Sequence, residues 1–187
     1  MRIVFLGPPG VGKGTQAIEL ARQLGIIHLS TGEMLRQAAA ARTPVGLQTQ
    51  EFLAAGKLVP DDVMLDLVRE RLEKADCRAG YVLDGFPRTL PQAEALDGML
   101  QKQSMPLTAV IDIHADVPEL MRRLLARGRT DDQPSVIQDR LEQYNRQTAP
   151  LSEYYRRQGL LHTIDGRGSR HEVFERILGA IDSIAHK

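Results

Sequence analysis

RIVFLGPPGVGKGT, residues Arg2 to Thr15, decides the reading of this chain. Its opening, RIVFLG, is a short β-branched and aromatic run that ends in glycine, the pattern of a buried strand. Helical composition follows in KGTQAIELARQLG, with Gly25 as its stop. Between strand and helix lies a loop close to the phosphate-binding pattern G-x-x-x-x-G-K-[ST]. Gly7, Gly12 and Lys13 fit, but the next residue is Gly14, and the hydroxyl arrives one place late at Thr15. Such glycines let the backbone curl and approach a phosphate without Cβ clashes. The freed N–H groups form an anion nest, and the helix behind it adds its positive N-terminal end. The plain alternative is a glycine-rich turn of no consequence. Strand before, helix after and lysine in place argue against that. The loop alone says nucleotide binding, and does not separate a GTPase switch, an ATPase motor and a small-molecule kinase.

Outward from the loop, further strands are predicted at GIIHLS (25–30), YVLDGF (81–86) and LTAVIDIHA (107–115), with a weaker one at LLHTIDG (160–166). Helical stretches separate them. DDVMLDLVRERLEKA begins at an acidic cap pair, Asp61-Asp62. PQAEALDGMLQKQ starts on Pro91, well placed for a first turn. VPELMRRLLARG ends at Gly128, residues 135–159 form a long helix that kinks or divides at Pro150, and HEVFERILGAIDSIA closes the chain. Strands alternating with helices predict an α/β fold, a five-stranded parallel sheet with helices on both faces. Ligands of such sheets sit at the carboxyl ends of the strands. GPPGVGKGT, STGEMLR and DGFPRT each follow a strand, so they are the places to search. Two helix-like pieces in 31–60 without a strand between them predict a small projecting lobe. RGRTDDQP (127–134) reads as a surface loop.

The 187 residues suffice for one sizeable core. Twenty-four basic residues balance 24 acidic ones, which argues against a nucleic-acid partner. The single cysteine, Cys77, excludes an internal disulfide and a Cys-rich zinc site, and is expected to be a packed or half-exposed thiol rather than a nucleophile. No run approaches a signal-peptide core or a membrane span, so a cytoplasmic protein is the default expectation.

In DGFPRT, Asp84 could orient a hydrated magnesium ion facing the loop, and Arg88 is aimed by the rigid Pro87 before it. A strand-end turn with a surface ion pair is the competing reading. Ser30 or Thr31 can cap the next helix, with Glu33 in its first turn. Arg123 and Arg127 share a helical face, Arg129 lies in the polar loop and Arg140 in the long helix. Arginines on a loop near a nucleotide suit a lid that closes over it. The five histidines are scattered, and structural or surface roles are expected for them.

Taken together, GPPGVGKGT, LSTGEMLR, GKLVP, DGFPRT with Gln92, and RGRTDD…QDRLEQY resemble the adenylate kinase family over nearly the whole chain. In that family the loop reads G-x-P-G-[AS]-G-K-G-T, so Gly14 before Thr15 is the family form and Val11 a mild variation. The resemblance implies a phosphate-loop fold with a core of residues 1–29, 60–126 and 138–187, an AMP-binding lobe at 30–59 and a short lid at 127–137. It implies that Gly10, Val11, Gly12, Lys13, Gly14 and Thr15 hold the phosphates of ATP. Arg123 and Gly168 would meet its adenine, and Arg127 would be a lid arginine for ATP. AMP would be held by Thr31, Arg36, Lys57, Leu58, Val59, Gly85, Phe86, Pro87, Arg88 and Gln92. Arg129 and Arg140 would reach AMP and the transferring group, and Lys13, Arg88, Arg129 and Arg140 would carry the catalysis. Asp84 would hold magnesium through water, and the short lid implies no zinc. The implied partners are ATP, AMP and ADP, for a monomer acting without membrane or nucleic acid. Thr31 and Gln92 resemble the AMP-specific form, whereas UMP/CMP kinases tend to have Ala at the first place and Asn residues just after FPR. A UMP/CMP kinase and a non-catalytic nucleotide-binding module are the alternatives.

Overall fold

A computed structural model describes residues 1–55, 57–128 and 132–185. In chain order these form β1 (Arg2–Leu6), α1 (Lys13–Leu24), β2 (Ile27–Ser30), α2 (Thr31–Ala40), α3 (Pro44–Ala54), α4 (Asp61–Leu72), β3 (Tyr81–Asp84), α5 (Leu90–Lys102), β4 (Ala109–His114), α6 (Val117–Arg127), α7 (Pro134–Gln143), α8 (Pro150–Arg157), β5 (Leu161–Asp165) and α9 (Arg170–Ala185). The five strands make one parallel sheet in the order β2-β3-β1-β4-β5.

The sheet is covered on both faces, which is why its strands read as continuous apolar runs rather than alternating ones. Ile3 and Phe5 of β1 pack with Ala17 and Leu20 of α1, Leu120 and Leu124 of α6, and Phe174 and Ile177 of α9. Val4 and Leu6 face the other way, onto Val68 of α4, Leu96 and Leu100 of α5, and Leu151 and Tyr155 of α8. Cys77 is buried in this second layer, the packed rather than the half-exposed of the two expected settings. With β1 central, its carboxyl end opens between those of β3 and β4, and the glycine-rich loop sits there.

The long helical stretch divides where proline requires it. Pro150 has no N–H to give, and its ring would collide with a carbonyl four residues back. The chain answers with a π-helical turn at Tyr144–Thr148, in which the Ala149 N–H donates to the Tyr144 carbonyl at 2.9 Å, and α8 restarts on Pro150. The acidic pair Asp61-Asp62 differs from expectation. Pro60 occupies the cap position of α4 with no side-chain cap bond, and the Asp61 carboxylate turns toward α5 instead.

Helices α2 and α3 lie chiefly against each other, α2 capped by the Ser30 hydroxyl and α3 by that of Thr43. Gly46 makes this approach possible, because a Cβ there would run into the main chain of Ala38 and Ala39. Gly46→Ala gains about 1 kcal/mol of helix propensity but forces overpacking against backbone that cannot rotate away, costing about 1–3 kcal/mol or somewhat more. The clash should win. Urea unfolding of Gly46→Ala is expected to show a lower midpoint with an unchanged slope, and a raised midpoint would refute the close packing.

Candidate active site

A cleft of about 810 Å³ runs along the carboxyl ends of β1, β2 and β3. The glycine-rich loop forms one wall, the start of α2 a second, and the turn after β3 a third. Gly12 caps α1 in the left-handed region at φ 101°, with no atom within 4 Å of a would-be Cβ. The backbone twist alone therefore demands glycine there. Lys13 follows, and its ammonium donates to the carbonyls of Gly7 (2.7 Å) and Pro8 (2.9 Å). Burial drives its pKa down from 10.5 to about 8. Asp84 opposes that shift, while the charges of Arg88 and Arg140 reinforce it.

Asp84 ends β3 directly opposite the loop. Its Oδ2 would stand 3.3 Å from a Cβ at Gly14, so the carboxylate and the loop approach as closely as glycine allows. Burial pushes its pKa up, but the neighbouring His28, Lys13 and Arg88 outweigh that, and the net shift is downward. At 3.9 Å, His28 Nε2 is an electrostatic neighbour rather than a hydrogen-bond partner, so the two cations are the firmer cause. An ionised carboxylate facing an anion nest fits a hydrated divalent cation.

Arg88 is fixed through its main chain on both sides. Its N–H donates to Gln92 Oε1 at 2.7 Å, and its carbonyl accepts from Thr148 Oγ1 at 2.9 Å. The guanidinium Nε donates to the Gly85 carbonyl at 2.8 Å. Gly85 stands at φ 84°, and a Cβ there would come within 2.8 Å of Thr31 Oγ1 and 3.3 Å of Arg88 Nη2. The guanidinium lines the open cleft, and the protein walls around it lower its pKa, with the charges of Arg140 and Arg36 acting in the same direction. Phe86 is wholly buried in the core, so its side chain anchors the turn rather than meeting a ligand. Pro87 lines a small adjoining recess with Arg140 and Tyr144.

A second recess of about 50 Å³ joins Thr31, Lys57, Leu58, Val59, Gly85, Arg88 and Gln92. These residues come from four separate places in the chain, and the fold brings them to one recess. Arg36 lines the main cleft and pairs with Glu33 at 2.9 Å. On the other side, Arg123 bridges two loops. Its Nη1 donates to the Val11 carbonyl at 3.3 Å, its Nη2 to the Gly166 carbonyl at 3.1 Å, and its Nε pairs with Glu119 at 2.6 Å. It thus ties the phosphate loop to the turn that carries Gly168. Arg127 makes a two-pronged pair with the buried Asp132, at 2.8 and 2.6 Å, and Arg140 approaches the same carboxylate at 3.4 Å. Arg129 lies outside the described residues. The sequence marked Asp61 only as part of a helix cap and did not mark Asp132 or Thr148, yet each of the three holds a site residue in place.

Among the described residues, eight Lys and Arg side chains line the main cleft against two carboxylates, Glu33 and Asp84. Such a lining suits a polyanion, with an anion nest at one end and a recess at the other. No helix among the described residues is long and apolar enough to cross a membrane.

Comparison with known proteins gives the same picture. The family model described as "Adenylate kinase" matches residues 5–160. The chain is 52% identical over 183 residues to the adenylate kinase of Methylobacterium nodulans, covering 92% of each chain. It is 51% identical to that of Nitrobacter winogradskyi, over 89% of this chain and 85% of the relative. With that of Stenotrophomonas maltophilia it shares 46% identity over 97% and 99% of the two chains. Loop, cleft and comparisons agree: the chain belongs to the adenylate kinase family.

Proposed function

We propose that this cleft transfers the terminal phosphoryl group of ATP to AMP, giving two ADP. The observation that carries the reading is the meeting, at the ends of three adjacent strands, of a phosphate loop and a second, arginine-bearing turn. One grips the donor and the other the acceptor, with Lys13, Arg88 and Arg140 between them. Gly10 to Thr15, Arg123, Arg127 and the Gly168 turn take ATP. Thr31, Arg36, Lys57 to Val59, Gly85 and Gln92 take AMP. Arg129 belongs with Arg140 on the transferring group.

Phosphoryl transfer needs alignment and charge neutralisation more than covalent chemistry. The acceptor is already an ionised phosphate, so no side chain has to remove a proton. Lys13 leaves the Gly7 and Pro8 carbonyls to meet the phosphates. Arg127 and Arg140 exchange Asp132 for phosphate oxygens as the lid closes. Asp84 would hold magnesium through its water shell, where the ion supplies neutralising charge on the phosphates. The small lobe 30–59 and the lid 127–137 would exclude water that otherwise hydrolyses ATP. The protein acts, on this reading, as a cytoplasmic monomer without zinc. The equal numbers of acidic and basic residues support small nucleotides rather than nucleic acid as its partners. Thr31 and Gln92 support AMP over UMP or CMP.

A coupled assay of ADP formation from ATP with AMP, CMP, UMP or GMP should show AMP far ahead, and a pyrimidine acceptor in first place would overturn the assignment. Lys13→Met and Arg88→Ala should each lower kcat by roughly 10²–10³, the loss expected for one well-aimed donor. Near-normal turnover by either folded variant would contradict the roles given to them.

The depressed pKa of Lys13 adds a signature. Above about pH 8 the free protein holds Lys13 largely neutral, and arriving phosphates restore its charge. Calorimetry at pH 8.5 in buffers of different ionisation heat should therefore reveal proton uptake on MgATP binding. The uptake should vanish at pH 6.5, where Lys13 is already charged, and in Lys13→Met. Equal uptake by Lys13→Met would refute it.

A further inference from the structure

Gln92 is expected to read the acceptor base, yet a glutamine amide cannot by itself recognise adenine. Adenine offers a donor at N6 and an acceptor at N1. Hypoxanthine and guanine offer the reverse, an acceptor at O6 and a donor at N1. Turning the amide by 180° exchanges its own donor and acceptor. A freely turning Gln92 would therefore suit either kind of purine, and something must break the symmetry.

The structure contains what breaks it. Gln92 is 2% exposed, at the first turn of α5. Its Nε2 donates to Asp61 Oδ1 at 2.7 Å, and its Oε1 accepts from the Arg88 N–H at 2.7 Å. A carboxylate can only accept and a main-chain N–H can only donate. The flipped amide would set oxygen against oxygen and N–H against N–H. Asp61 is itself held: its Oδ2 accepts from the Thr89 hydroxyl at 2.9 Å, while that hydroxyl accepts from the Gln92 main-chain N–H at 3.3 Å. The amide has two donor and two acceptor positions, and each kind is used once here. One N–H and one lone pair remain for a base, in a fixed order.

We propose that Asp61 is a specificity-determining residue, which selects adenine over hypoxanthine or guanine in the acceptor by fixing the orientation of the Gln92 amide. Asp61 need not touch the acceptor, since it works through Gln92 as a positioning residue. The inference rests on the reading that the acceptor base lies against Gln92.

The test compares kcat/KM for AMP and for IMP, two acceptors that differ only at the edge in question, with ATP as donor. The AMP-to-IMP ratio cancels the amount of correctly folded enzyme. A residue that merely supported the fold would slow both acceptors alike. Asn at position 61 can present either an oxygen or an amide N–H, leaving only the Arg88 N–H to bias Gln92. In Asp61→Asn the ratio should fall by about tenfold or more, the loss expected for a hydrogen bond to a charged group. If that variant does not fold, Asp61→Ser, which also accepts or donates, is read in the same way. In a Gln92→Ala background the change at position 61 should have no further effect on the ratio. A ratio within twofold of wild type in the Asp61 variants, with Gln92→Ala lowering it, would overturn the role of Asp61 alone. A ratio unmoved by Gln92→Ala would overturn the placement of the base as well.

Discussion

Mutual repulsion among cations in one cleft is the constraint on which the rest of the structure depends. Lys13 and Arg88 both have depressed pKa values, first because of the protein packed around them and then because each faces other positive charges. A protein gains no stability from that arrangement; its value appears only when a polyanion arrives. The fold must therefore hold the cations in position without satisfying them as a substrate would. For the two cations at the centre it does so with neutral main-chain oxygens: the carbonyls of Gly7 and Pro8 for Lys13, and of Gly85 for Arg88. Carbonyls orient an ammonium or guanidinium without cancelling its charge, so the phosphates still meet an unspent cation.

Where carboxylates do appear, beyond the Glu119 that holds Arg123, they divide into two kinds. Asp132 and Glu33 pair with Arg127 and Arg36, and on the proposed reading they give way to phosphate on the parts expected to close. Asp84 and Asp61 sit at the ends of core elements and hold their places. On the proposed reading, the core elements and the turns that join them carry the groups that align the reaction, and the outlying segments carry those that change partners.

Much of this was legible in the sequence because it rests on local rules. The strand–glycine loop–helix unit, the Gly25 stop, the Ser30 cap and the break at Pro150 follow from residues a few positions apart. The five strands were found because parallel strands covered on both faces are uninterrupted apolar runs. What escaped was tertiary. Asp61 looked like half of an acidic helix cap, and nothing in DDVMLDL shows that its carboxylate crosses to Thr89 and Gln92. Thr148 reaches back to Arg88 across 60 residues from a π-helical turn that polar QYNRQTAP does not announce. The late arginines were recognised by type, but that Asp132 holds two of them depends on how the chain folds back onto α6.

The central claim is that one continuous cationic cleft receives both nucleotides at once, end to end through their phosphates. Titration with a single molecule carrying two adenosines joined by five phosphates tests this most directly. The account predicts one such molecule bound per chain, tighter than ATP or AMP alone, and competing fully with both. Two molecules bound per chain, or competition with ATP while AMP still binds, would contradict it.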